Sequence, residues 1–188
     1  MVRTMYDRLV KYGEVHMERT FAVRPATGAD IPLLQHLAHT IWYAHYPGII
    51  TVEQIEYMLA DGYSTEKIRH EMETEGISWL LVQLDGEAVG FAAFGDYVDG
   101  CAKLHKLYLA PDQHGRGWGS RVLEEVERLA TESGYRQIVL NVNKHNTKAI
   151  HCYQRCGYQV LESVVNDIGG GFVMDDYIMG KQLVHGRW

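Results

Sequence analysis

A glycine-rich stretch in the middle of the chain has the residue types of an anion-binding loop. Gly115, Gly117 and Gly119 follow a short apolar segment and precede a helical pattern. Glycine lets the backbone approach a ligand closely, and the unpaired N–H groups of a loop and a first helical turn attract negative charge. The helix dipole contributes only about 0.3–1 kcal/mol per charge, so several N–H groups must act together. With Arg116 as an additional positive side chain, the pattern predicts a pyrophosphate site.

Three phosphate-binding motifs have to be distinguished at this loop. A nucleotide P-loop needs Lys and then Ser or Thr after its last glycine, whereas Ser120 and Arg121 follow Gly119. The Rossmann fingerprint needs a glycine where Ser120 stands. The pattern Arg/Gln-x-x-Gly-x-Gly/Ala fits at Gly117 and Gly119, and by it the chain resembles the GCN5-related N-acetyltransferase (GNAT) superfamily. His114 departs from that pattern, which is tolerable if the position acts through its backbone N–H. A simple tight turn is the alternative interpretation of these glycines.

A second motif further along the chain carries the same resemblance. Asn146, Ala149, Tyr153 and the pair Gly157-Tyr158 are similar to the Asn-x-x-Ala…Tyr…Gly-Phe segment of that superfamily. Asn146 and Tyr153 are seven residues apart and therefore lie within about 20° on one helical face. The resemblance implies that Asn146 contacts coenzyme A and that Tyr153 protonates the departing thiolate. A phenol can donate to a thiolate, since their ordinary pKa values are about 10 and about 8.5. The alternative is that Tyr153 is an ordinary core residue.

The surrounding patterns predict one mixed α/β domain. Period-two patterns and turn signals predict strands over 21–23, 79–84, 88–94, 104–109, 137–142, 158–165 and 172–179. Helical periodicity and caps predict helices over 27–43, 51–59, 64–72, 117–133 and 146–156. The resemblance implies a GNAT-type α/β (α+β) fold: a mostly antiparallel twisted sheet of six to seven strands, helices on both faces and a splayed central strand pair. We assign residues 1–19 to an N-terminal extension and 20–188 to a single N-acetyltransferase domain.

The resemblance also implies how the cofactor, acetyl-CoA, is held. The strand before the loop is expected to splay from its neighbour, so that backbone groups around Leu107 and Leu109 can bond pantetheine and polarise the thioester carbonyl. The cofactor-binding residues implied are Leu107, Tyr108, Leu109, His114, Gly115, Arg116, Gly117, Trp118, Gly119, Ser120, Asn146, Ala149 and Tyr153.

A proton acceptor is needed if the acetyl group goes to an amine. An alkylamine with a pKa of about 10 is mostly protonated at neutral pH. His105, on the strand that enters the loop, titrates near neutrality and is predicted to share a strand face with Leu107 and Leu109. A structural hydrogen bond is the alternative role for His105.

The acceptor site is expected in residues 40–62. This segment is similar to that of bacterial polyamine acetyltransferase-like members of the superfamily, and the matching residues are Ile50, Glu53, Gln54, Ile55, Tyr57 and Met58. Its aromatic residues either line a slot that tolerates a cation or pack in the core. The candidate substrate-binding residues are Trp42, Tyr43, Tyr46 and Tyr57.

Composition limits the other function classes. The 188 residues carry a net charge of −6, which argues against an electrostatic nucleic-acid binder and favours cationic amines weakly. No apolar run approaches a signal peptide core or a membrane span, and three cysteines do not suggest a disulfide scaffold. We therefore expect a cytoplasmic protein. Cys152 and Cys156 lack the Cys-x-x-Cys spacing of zinc sites, so no metal is predicted.

The sequence thus predicts an acetyl-CoA-dependent N-acetyltransferase. The expected reaction is direct attack by a small primary amine, with a polyamine-like acceptor favoured and Tyr153 as general acid. A protein or peptide N-acetyltransferase is one alternative, and a non-catalytic acyl-CoA binding or sensing module, which would not need Tyr153, is another. The identity of the amine, the general base and the formation of a homodimer stay open.

Overall fold

The computed structural model describes residues 19–183, which form seven strands and five α-helices. The strands are β1 (Phe21–Pro25), β2 (Ser78–Leu84), β3 (Glu87–Val98), β4 (Cys101–Leu109), β5 (Gln137–Asn143), β6 (Gln159–Gly169) and β7 (Phe172–Gln182). The helices are α1 (Ile31–His45), α2 (Val52–Gly62), α3 (Thr65–Glu73), α4 (Trp118–Glu132) and α5 (Thr147–Arg155). Residues 1–18 of the predicted extension lie outside the described residues. Of the helices that are described, none is long and apolar enough to cross a membrane.

Local signals account for most element starts. The hydroxyl oxygens of Thr51 and Ser64 accept hydrogen bonds from backbone N–H groups in the first turns of α2 and α3, as caps do. Asp85 and Gly86 both have positive φ, which suits the tight β2–β3 hairpin. β3 and β6 run beyond their predicted ends at 94 and 165, because their outer ends are exposed hairpin arms without apolar alternation.

The sheet is mixed and mostly antiparallel, in the order β1-β2-β3-β4-β5-β7-β6. Helices α1–α3 cover one face around a core that includes Leu34, Trp42 and Phe91. Helices α4 and α5 cover the other face, where Val122 and Val126 pack on the sheet. The predicted fold class is therefore confirmed.

The single parallel strand pair among the described residues, β4–β5, comes apart halfway. Its ladder joins Cys101–Leu104 to Gln137–Leu140 and has no pairs beyond Leu104. The remainder of β4 stays paired to β3 on its other side. This is the splay that was expected at the centre of the sheet.

A β-bulge lies at the start of the splay. Leu104 pairs with Phe94 and Lys106 with Ala93, so His105 is left without a partner in β3. The extra residue reverses the alternation of side chains. Leu104, rather than His105, therefore shares the α4–α5 core with Leu107 and Leu109. The prediction that His105 shares their face is wrong, because it assumed an unbroken strand.

Candidate active site

A cleft of about 760 Å³ opens where β4 and β5 separate. Residues from α1, β4, the glycine-rich loop, β5, α5 and β7 line it. The predicted site residues that line it are Trp42, Tyr46, His105, Leu107, Tyr108, Leu109, His114, Gly115, Gly117, Gly119, Ser120, Asn146, Ala149 and Tyr153. Arg116, Trp118, Tyr43 and Tyr57 do not line it.

The loop before α4 presents a row of unused backbone donors. Gly115 and Gly117 have φ of 73° and 82°, in the left-handed region that favours glycine. The first hydrogen bond of α4 runs from the N–H of Arg121 to the carbonyl of Gly117. Within residues 19–183, the N–H groups of residues 115–120 donate to no acceptor. Such a row at a helix start can hold an anion with several negative oxygens.

The side chains of Arg116 and Trp118 do not line the cleft. The Trp118 ring stacks on Phe21 with centroids 5.6 Å apart, and Arg121 lies over both rings. Arg116 is exposed. Their contribution to the cleft is therefore through the backbone and, for Arg116, through charge at a distance.

Helices α4 and α5 meet closely behind the loop. A Cβ on Gly119 would lie 3.9 Å from Cys152 Sγ, and Cys156 Sγ lies 3.4 Å from Ser120 Oγ. Burial raises the pKa of the Cys156 thiol, which makes it less reactive. Across residues 19–183, no three His, Cys, Asp or Glu side chains are grouped to hold a metal ion.

Backbone groups of β4 face the gap left by β5. The N–H of Ala110 donates to the carbonyl of Val89, so Ala110 directs its N–H toward β3. Because successive residues of a strand direct their N–H and C=O groups to opposite sides, those of Leu109 and Leu107 point away from β3, into the gap. His114 Nε2–H donates to the Leu109 carbonyl at 2.9 Å. Of the backbone groups expected to be available around Leu107 and Leu109, this carbonyl is therefore occupied, because the His114 ring folds back onto the strand.

Asn146 and Tyr153 both reach the cleft, but in different states. Asn146 caps α5, where its Oδ1 accepts from the N–H of Ala149, and its Nδ2 lies 3.1 Å from His45 Nε2. The Tyr153 ring packs on Tyr158, and its hydroxyl bonds to none of the side chains or backbone groups in residues 19–183. Burial raises the pKa of Tyr153 well above its ordinary value, so the phenol stays protonated at working pH.

His105 lies at the bulge and lines the same cleft. Partial burial and the neighbouring Lys106 and Lys103 ammonium groups lower the pKa of His105 to about 4. The ring is therefore neutral at pH 7. It can accept a proton, but as a weaker base than an ordinary histidine.

The aromatic candidates divide into two groups. Trp42 on α1 and Tyr46, which caps the C-terminus of α1, are one helical turn apart, and their ring centroids are 4.6 Å apart. The hydroxyl oxygens of Tyr46 and Tyr108 are 3.1 Å apart. Tyr43 is turned about 100° from Trp42 on the helix and points toward Glu56. Tyr57 donates its O–H to the Ile168 carbonyl at 2.9 Å, at the β6–β7 turn.

Sequence reasoning passed over several polar residues that line the cleft, among them His45 and Asp176. Burial and the nearby His114 and Lys148 lower the pKa of His45. Asp176 is only 5% exposed, and burial raises the pKa of its carboxyl group. The available signal for Asp176 was an acid on the same face of a strand as the apolar residues Met174 and Ile178.

Comparisons with known proteins agree with this geometry. Residues 39–158 match the sequence profile of the acetyltransferase (GNAT) family. The chain is 26% identical to spermidine N(1)-acetyltransferase of Thermoplasma acidophilum, over 81% of this chain and 94% of that protein. It is 28% identical to aminoglycoside N(6')-acetyltransferase type 1 of Stenotrophomonas maltophilia, over 76% and 89% of the two chains. The crystal structure of the PaiA N-acetyltransferase of T. acidophilum in complex with coenzyme A superposes with a TM-score of 0.73, at 26% identity, over 87% and 99%.

Proposed function

The chain belongs to the acetyltransferase (GNAT) family and is an acetyl-CoA-dependent N-acetyltransferase, and from this premise we propose that its acceptor is a small, polyamine-like primary amine. The observation that carries the proposal is one cleft that joins loop N–H groups, unpaired within residues 19–183, to an aromatic wall formed by Trp42 and Tyr46. The relatives named for spermidine and for aminoglycosides support it, because both names describe small cationic amines. The net charge of −6 also favours such acceptors.

The residues of this chain fit the cofactor. The N–H groups of residues 115–120 would bind the diphosphate of coenzyme A, because they have no partner in the described chain and the glycines allow close approach. The gap-facing peptide of Leu107 would orient the pantetheine arm. Acetyl-CoA supplies the acetyl group that the amine receives.

Tyr153 is the proposed general acid. Tyr153 lines the cleft, and its hydroxyl is not committed to another described group and stays protonated. It can therefore donate a proton to the leaving sulfur. Its packing on Tyr158 holds the ring in place.

His105 is the proposed acceptor of the amine's proton, directly or through water. Its lowered pKa keeps it neutral and so ready to accept, but limits how strongly it draws the proton. We therefore propose that His105 contributes only modestly to the rate of acetyl transfer.

The test is a thiol-release assay with acetyl-CoA and a panel of polyamines, aminoglycosides, amino acids and peptides. We expect turnover with the small cationic amines and little with peptides. Turnover on peptides alone would replace the proposed acceptor class with a protein substrate. Binding of desulfo-coenzyme A by calorimetry without release on any acceptor would favour the binding-module alternative.

A further inference from the structure

Asp176 is a buried carboxylate whose hydrogen bonds are incomplete. It lies on β7 opposite Asn143 of β5 and is only 5% exposed. Its Oδ2 is 3.5 Å from Asn141 Nδ2, a long contact, and its Oδ1 has no partner in the described part of the chain. A buried, unpaired charge is costly, and native structures usually satisfy such groups.

The nearby cations do not satisfy it. Lys144 forms its ion pair with the neighbouring Asp175. Lys103 is close enough for each group to affect the pKa of the other, yet it forms no ion pair with Asp176 and lies over the Tyr97 ring instead. No other Lys, Arg or His within residues 19–183 is paired with this carboxylate.

The carboxylate lines the cleft together with the aromatic wall. Trp42, Tyr46 and Met174 line the same cleft. Burial raises the pKa of Tyr46, and the negative charge of Asp176 adds to that rise. The N–H₂ group of Gln54 bonds to Val173 and Met174 and so ties α2 to this part of β7. An acid beside aromatic faces is a suitable environment for an organic cation.

We propose that the Asp176 carboxylate binds a positively charged amine of the acceptor by accepting a hydrogen bond from its ammonium group. The inference rests on the proposed function and gives a chemical basis for its acceptor class. Asp176 is thus a substrate-binding residue, and the ammonium group is the positively charged partner that its carboxylate lacks in the described part of the chain.

The first experiment compares Asp176→Asn with Asp175→Asn, a matched control one residue away whose carboxylate pairs with Lys144. Calorimetry of spermidine against the coenzyme A complex, and thiol release with spermidine, are measured for both. We expect D176N to weaken spermidine binding and kcat/KM by about 10- to 100-fold, mostly through KM. D175N should stay within about twofold of the wild type. Coenzyme A affinity should not change in either variant.

Thermal unfolding separates binding from a structural role. Because the carboxylate is buried and incompletely bonded, D176N should unfold no earlier than the wild type. A clear drop in its melting temperature, a shared loss of coenzyme A affinity, or spermidine affinity equal to that of D175N would overturn the inference.

A second measurement needs no variant. A trialkylammonium ion, which cannot be acetylated, should compete with spermidine on the wild-type protein, whereas an alcohol of similar shape should not. Equal competition would contradict a cation site. If spermidine bound to the wild type and D176N weakened that binding, but no thiol were released, the proposed catalysis would be rejected and the cation site would stay supported.

Discussion

The two sides of the gap between β4 and β5 present different kinds of ligand-binding groups. On the α4–α5 side, the donors are consecutive backbone N–H groups of residues 115–120. On the α1–α2 side, the groups are side chains: Trp42 from α1, Tyr46 from its C-cap and Asp176 from β7. A backbone site needs glycines at a given spacing and hardly depends on neighbouring segments. A side-chain site depends on which distant residues the fold brings together.

The two sides also differ in charge. The loop offers the positive ends of N–H dipoles, which suit a diphosphate. The opposite side offers a carboxylate and aromatic faces, which suit an ammonium ion. The two reactants therefore approach the splay from environments of opposite character, and a variant on one side should affect one reactant only.

The largest expected effect is at Tyr153, between the two sides. Tyr153→Phe removes the proton donor and should lower kcat by about 100-fold or more, with the affinities for coenzyme A and amine unchanged. Steady-state kinetics and calorimetry check this. Tyr135→Phe, which does not touch the cleft, is the control. Full turnover in Y153F would rule out the acid role.

A second variant tests the backbone side alone. Gly117→Val forces a branched side chain into left-handed φ and should reduce coenzyme A affinity by about 10- to 100-fold. Gly134→Val is the matched control, because Gly134 has a φ of 91° and open space around it, as Gly117 does. Both should lose roughly 1–3 kcal/mol of unfolding free energy. If G134V lost as much coenzyme A affinity, the effect would be one of general strain.

His105→Gln should have a smaller effect. A histidine with a pKa of about 4 is a weak base, so kcat should fall by less than tenfold or so. The ring stays neutral as the pH falls from about 8 to about 5, so His105 should add no ionisation to the wild-type profile in that range. His70→Gln, outside the cleft, is the control. A change in kcat near pH 6.5 in the wild-type pH profile that disappears in H105Q would show instead that the His105 ring has an ordinary histidine pKa.

The smallest effects should distinguish the two groups of aromatic residues. Tyr46→Phe breaks the hydroxyl contact with Tyr108 and should raise the KM for the amine by about three- to tenfold. Tyr57→Phe breaks the bond to Ile168 and should cost about 1 kcal/mol of stability without changing the KM. A KM increase in Y57F equal to that of Y46F would place Tyr57 at the acceptor site after all.

The parts of the site that depend on local backbone geometry were predictable. The strand–loop–helix around Gly117 and the caps at Thr51 and Ser64 are set by residues close in sequence, and the structure has them where the patterns place them. Predictions that relied on regular alternation were less successful. The bulge at His105 shifted the strand register by one residue, and a single extra residue is invisible to a period-two pattern.

The amino-acid sequence by itself determined the family, the fold class and the loop that is proposed to receive the diphosphate, because glycine spacing and helix caps act over a few neighbouring residues. Only the tertiary structure decided which side chains face the other half of the cleft. It turned Tyr43 and Tyr57 away, bonded His114 to the strand and buried Asp176 with one carboxylate oxygen that has no partner among the described residues. These outcomes depend on the packing of α1, α2 and β7 against each other, a balance of contacts between segments far apart in the chain that no local pattern records.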